Sequence, residues 1–439
     1  MAYRRTVAVA VLAVALAVSG CQAPGTNPEA VSPAEPSPAD DRPTNETDQN
    51  GTTGGSEDPF PISDPANVTV EGGDLRTDPG LVYSRLQALL ETAAPAPASV
   101  RVYNSTEGLG DSIPSGGLGI GQPRFFDVIG FETGDIRNET FVDDVGNGYT
   151  LGSGSIAVFV QENATRDEEE MLLAHELAHY IQFQNDRQSQ LAEQIDPQTV
   201  DGGYVVRSLV EGTAVFTTDN YLGRFGENRT TNSPYYDDEQ TAYPRGHLRR
   251  WANSQYQIGT DYVTQRLDSP SEVGAIYETP PTRSRELLDP DAPPEPQLSV
   301  SNALARSEIS TNELGAAFLR YALESHIDAD RAESVATGLG ADSLHQFRSD
   351  SDTFGNYAWA TRWDSAADAD AFEAAFSDYL DARGNASTDG WTLDDLGLTV
   401  QLRRPTPEAV VAMFGSDSFV EGTTASGTDG EIVLQSAPN

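Results

Sequence analysis

Five consecutive residues carry the most specific chemical signal in the chain: His175-Glu176-Leu177-Ala178-His179. On a helix, residues four apart project from one face about a turn from each other, so both imidazoles can reach one metal ion. Glu176 stands about 100° around such a helix from His175. Its carboxylate can therefore hold a water beside the ion without ligating it. A zinc hydrolase needs this arrangement: the metal lowers the pKa of water toward 7 and polarises a carbonyl, while the carboxylate takes the proton. The competing explanation is a helix with two ordinary histidines. The chain has only five histidines in 439 residues, and two of them fall at this spacing, which favours the metal.

A catalytic zinc takes three protein ligands and keeps one position open. The window after His179 holds Gln182 and Asn185 where a third histidine at close spacing would stand, which argues against the metzincin pattern. The better candidate is Glu211, in Ser208-Leu209-Val210-Glu211-Gly212-Thr213-Ala214, 32 positions after His179. Its alternative role is an acid on a solvated helix face. Gly212 and Ala214 are small enough to let this helix approach the one bearing the histidines.

The elements that would position these residues can be read from apolar spacing. Arg166 to Asn185 opens with Asp167 and three glutamates, suited to the positive end of a helix dipole, and its leucines follow a 3.6 period. The run from Ser155 to Val160 before it predicts a strand, as does Ser99 to Tyr103. Helices are expected at Leu81–Thr92, Tyr204–Phe225, Leu248–Leu267, Glu313–Ser325 and Asp368–Leu380, with a strand at Tyr357–Trp363. The proline-rich stretch 279–297 predicts a loop or domain edge.

With these elements in place, the sequence resembles the gluzincin clan of zinc metallopeptidases. In that clan a helix bearing His-Glu-x-x-His is followed a few tens of residues later by a helix with a glutamate ligand, often within Glu-Gly-x-Ala; here that is Glu211-Gly212-Thr213-Ala214. The segment Pro280-Pro281-Thr282-Arg283-Ser284-Arg285-Glu286-Leu287-Leu288-Asp289-Pro290 and the region Trp359 to Phe376 look like parts of surface metallopeptidase-like proteins. Residues of about 70 to 415 are similar to haloarchaeal cell-surface lipoproteins carrying this motif. The resemblance implies zinc held by His175, His179 and Glu211, Glu176 as general base, and a peptide substrate. Two departures stand out. Thermolysin-like members place an aspartate four residues after the ligand glutamate, where this chain has Val215, so Asp219 or Asn220 would have to orient a ligating histidine. The group that stabilises the oxyanion is also open among His247, Tyr204, Tyr243 and Tyr256. His326 and His345 read as structural.

Composition sets the surroundings. The 68 acids and 27 basic residues, every one an arginine, give a formal net charge of −41. That balance excludes nucleic-acid and polybasic membrane binding. The acids are spread along the whole chain, as in a surface solvated for very salty water, and the lysine-free composition resembles that of haloarchaeal proteins. A single cysteine excludes a disulfide scaffold and a cysteine-ligated cluster. That cysteine, Cys21, follows Arg4-Arg5 and an apolar run from Thr6 to Ser19 too short for a comfortable membrane span. Val18-Ser19-Gly20-Cys21 resembles a lipobox, which implies a lipid on Cys21 and a tether to the outer face of the cell membrane. Eight Asn-x-Ser/Thr sequons, from Asn45 to Asn385, agree with an outside location.

The expected architecture is α+β. Residues 1–21 form a lipoprotein signal peptide and 22–66 an acidic linker rich in Pro, Gly, Ser and Thr. Residues 67–290 form a zincin-like domain, a small sheet on the motif helix followed by a helical half. Residues 291–414 form a C-terminal α+β module and 415–439 a flexible tail. The expected function is a lipid-anchored, extracytoplasmic zinc metallopeptidase, with Zn2+ as cofactor. Its partners would be a peptide or protein substrate and the membrane, with no nucleic acid. The rivals are a zinc-binding surface lipoprotein without turnover and a zinc hydrolase of another bond.

Overall fold

The computed structural model describes residues 18–21, 64–103, 124–132, 148–151, 154–162, 164–226, 232–349, 355–428 and 430–437. The signal-peptide residues before Val18, almost all of the linker and six of the eight sequons lie outside them. Asn67 and Asn385 are exposed.

The N-terminal half begins with β1 (Val18–Cys21), β2 (Thr69–Glu71), α1 (Pro79–Leu89), β3 (Ser99–Tyr103), β4 (Gly148–Leu151) and β5 (Ile156–Phe159). The strands form one mixed sheet in the order β1-β4-β5-β3-β2. The antiparallel pairing of β1 with β4 sets Cys21 opposite Gly148. The helices that follow include α2 (Arg166–Gln184), α3 (Val200–Phe225), α4 (Ser233–Ala242) and α5 (Leu248–Thr264), with a short helical segment, Arg187–Ala192, between the first two. Helix α2 packs its leucines and Ile181 against Val100, Val102, Ile156 and Val158 of the sheet and against Val82 and Leu86 of α1.

Helix α3 belongs to two cores. Tyr221 and Leu222 join the core around α2. Tyr204 to Val210 join a larger core with Trp251 of α5, which continues into the C-terminal half. The proline-rich stretch 279–297, expected as a loop, contains the short helix α6 (Ser284–Leu288). Beyond it lie β6 (Ser299–Ala303), β7 (Glu308–Asn312), α7 (Gly315–Glu324), β8 (Leu339–Phe347), β9 (Asn356–Trp363) and α8 (Ala366–Arg383). The strands β10 (Asn385–Ser387), β11 (Gly390–Leu393), β12 (Leu398–Thr406) and β13 (Ala409–Gly415) complete a seven-stranded sheet, β10-β11-β12-β13-β9-β8-β7. Helices α7 and α8 cover one face through Phe318, Phe372 and Phe376.

The segment 415–439, expected to be a flexible tail, is structured through most of its length. It forms β14 (Thr423–Thr428) and β15 (Glu431–Ser436), and β15 also pairs in parallel with β6. Ile432 and Leu434 are fully buried against Phe347, Ala358 and Val411 on the second face of the large sheet. Their alternation gives the segment an apolar face, and burying it offsets the cost of ordering the chain. The fold class is α+β, as expected. Among the described residues, no helix is long and apolar enough to cross a membrane.

Candidate metal centre

Helix α2 starts where its sequence says it should. Thr165 caps it, with its hydroxyl accepting from the Glu168 N–H while the Glu168 carboxylate accepts from the Thr165 N–H. The buried acids of its first turns have partners. Glu169 accepts from the Thr77 N–H at 2.7 Å, and Glu170 accepts from the Tyr221 hydroxyl at 2.6 Å and pairs with Arg85. These contacts fix the rotation of α2, and therefore the direction in which His175 and His179 point.

Glycine sets the placement of α3, against a different helix from the one expected. A Cβ on Gly212 would lie 2.2 Å from the Gly259 carbonyl carbon, and one on Gly259 would lie 1.9 Å from the Ser208 carbonyl oxygen. The small residue after Glu211 therefore serves the crossing of α3 with α5, not its approach to α2. That crossing presses the Gly212 side of α3 onto α5, while Glu211 meets the α2 imidazoles.

His175, His179 and Glu211 converge as expected, and among the described residues they are the one group of three such side chains able to share an ion. His175 Nε2 lies 2.9 Å from His179 Nε2. Glu211 Oε2 lies 3.5 Å from the first and 3.2 Å from the second. Ligands about 2.0–2.1 Å from a tetrahedral zinc stand about 3.3 Å apart, so these three edges fit such an ion. Glu211 Oε2 is buried and accepts no hydrogen bond. A buried, ionised oxygen facing two imidazole nitrogens is a donor set for a cation. Burial pushes His175 down to about 4, despite Glu211 nearby. Burial also disfavours charge on His179, but Glu211 outweighs it and raises that imidazole. Burial alone would raise Glu211; the two imidazoles hold it at about 2. A neutral His175 and an ionised Glu211 are the states that bind metal.

The remaining nitrogens are held by Gln182 and Asn232, neither of them expected at the site. Gln182 Oε1 lies 2.9 Å from His179 Nδ1 and can accept its proton, so that in the neutral ring, the state that binds metal, Nε2 turns its lone pair toward the site. Gln182 in turn donates to the Val210 carbonyl and to Thr213, tying α2 to α3. The side-chain amide of Asn232, at the start of α4, lies 3.1 Å from His175 Nδ1. When Nε2 of His175 faces a metal, Nδ1 carries the proton and the Asn232 amide must turn its oxygen to it. Asp219 delivers Asn232: its carboxylate accepts from the backbone N–H of Asn232 and from the N–H and hydroxyl of Ser233. Asp219 thus supports a histidine through a second residue instead of touching it. Asn220 bonds the Phe216 carbonyl of its own helix.

Glu176 is held from above by β4. Thr150 donates to its carboxylate at 2.6 Å, and a Cβ on Gly148 would come within 2.8 Å of Oε1. His175, Glu176, His179 and Glu211 are each no more than 1% exposed. Val215, where thermolysin-like members have an aspartate, packs with Tyr236 and Tyr256. Tyr236 stacks on Tyr256 at 4.1 Å, and its ring lies 6.2 Å from that of His175. Tyr256 was among the expected oxyanion candidates; Tyr236, nearer, was not. Tyr204 bonds Ser254 in the large core, and Tyr243 stacks on His247, which caps α5. His326 packs on Tyr379, and His345 lies between Ser343 and Glu308.

Residues 302–421 match a family model described as a domain of unknown function (DUF8575). The match covers most of the C-terminal half and excludes the metal centre. No curated protein and no solved structure matches the chain.

Proposed function

We propose that the protein is a zinc-dependent hydrolase of peptide bonds with a zincin-like catalytic half, exported and tethered to the outer face of the membrane by a lipid on Cys21. One observation carries the reading: three buried donors at metal-ligand spacing, with a second carboxylate, Glu176, held by Thr150 on the same helix as the two histidines. Three protein donors leave a position for water and substrate, the pattern of catalytic zinc. When bound, zinc would polarise the scissile carbonyl and acidify the attacking water. His175, His179 and Glu211 would hold it. Glu176 accepts the proton of the attacking water and passes it to the leaving amine. Glu176→Gln is expected to abolish peptide cleavage in molar potassium chloride while the metal content stays unchanged. Cleavage that survives the substitution would remove Glu176 from this role.

The burial of all four residues favours one second reading, a surface protein that keeps zinc without turnover. A small hydroxamate separates the two, because it ligates only a zinc with an open position. Binding that depends on zinc supports the enzyme, and its absence supports the static site.

A further inference from the structure

Beyond His179, Gln182 of α2 and Asn185 at its C-terminal cap line a cavity of about 220 Å3. Gln182, Thr213 and Tyr277 line it and form one hydrogen-bonded chain: Gln182 donates to Thr213 at 2.9 Å, and Thr213 and the Tyr277 hydroxyl are 2.6 Å apart. The other end of Gln182 holds His179, so the cavity is one side chain away from the metal centre. Its wall also carries Arg187. The guanidinium of Arg187 donates to Gln190 and lies over the Tyr277 ring at 5.2 Å, and among the described residues no carboxylate is within ion-pair distance of it. Acids outnumber arginines by more than two to one in this chain. An arginine steadied by an amide and an aromatic ring, and facing a cavity, therefore keeps its charge for something else. Glu91 also lines the cavity without pairing to Arg187.

Resting on the peptidase reading, we propose that this cavity is a substrate subsite that takes a carboxylate group on Arg187. An acidic side chain and a peptide C-terminus both supply that group. A guanidinium binds carboxylate through charge-assisted bonds, and a part-enclosed wall shields the pair from the salt that screens exposed ones.

The test is calorimetric titration of the full chain in molar potassium chloride, with and without zinc. Three probes are used: N-acetyl-Ala-Ala with a free terminus, N-acetyl-Ala-Glu-Ala amide, and N-acetyl-Ala-Ala amide. One of the carboxylate probes is expected to bind at least about tenfold tighter than the last. Which one does so identifies the source. Arg187→Gln is expected to erase the difference, and Arg187→Lys to keep part of it. Equal binding of all three probes, no binding by any, or a difference that survives in Arg187→Gln overturns the proposal. Carboxylate discrimination in a protein that takes no zinc would leave the subsite standing and defeat the peptidase reading. Cleavage without discrimination would do the reverse.

Discussion

Asp201 and Glu211 stand ten residues apart on α3, and both are buried, yet their carboxyls are driven in opposite directions. Glu211 faces His175 and His179, and these hold it at about 2 against the cost of burial. Asp201 accepts from the Ser284 N–H and hydroxyl at the start of α6, with Asp342 as a like charge nearby, and burial raises it to about 7. Neutral donors satisfy a carboxylate's oxygens without compensating its charge; cationic or metal-binding partners do both. One end of the helix is therefore a joint between the two halves of the molecule, and its middle contributes to a donor set that could hold an ion.

Breaking the Glu211 end has the largest expected effect. Glu211→Gln removes the only anionic donor, and zinc affinity is expected to fall on the order of 100-fold or more, measured by competition with a chromophoric chelator. Next comes the support of His175. Asn232→Leu is expected to weaken zinc about 10–100-fold, while Asn232→Asp, which keeps an acceptor at Nδ1, retains binding. Equal loss in both variants would show that Asn232 acts only through packing. Gly259→Ala forces a methyl against the Ser208 carbonyl and is expected to cost about 1–3 kcal/mol of stability by overpacking, read by chemical denaturation.

The Asp201 end gives the smallest effect, one of pH. Its folded pKa is raised from 3.8 to about 7. Between those values the native state keeps a proton that the unfolded chain releases, so its contribution to stability falls as pH rises, and the loss is complete above the upper value. In Asp201→Asn that part of the decline in melting temperature across the window should disappear. A slope identical to wild type would mean that Asp201 does not titrate there.

The three candidate ligands were legible because their signal is local. His175 and His179 are one helical turn apart, and Glu211 lies on the next long helix. Their supports were not, because they come from tertiary approach: Asn232 is 57 residues from His175, and the partner of Gly212 is Gly259. Of the C-terminal sheet only β9 was expected, as Tyr357–Trp363; the other strands hid for another reason. In β13, Ala409, Val411 and Met413 face one core while Val410, Ala412 and Phe414 face another. A strand buried on both faces shows no alternation, so its run of apolar residues does not reveal its structure. The flanking α2, α3 and α5 each have one recognisable apolar periodicity or capping signal, and their expected positions lie within a few residues of those found.

The most direct test is the zinc content of the purified chain after equilibration with the metal in molar potassium chloride. One ion per chain in wild type and Glu176→Gln, and none retained in Glu211→Gln, is the expected result. A wild-type chain that holds no stoichiometric zinc, or a Glu211→Gln chain that holds it as firmly, would contradict the metal centre described above.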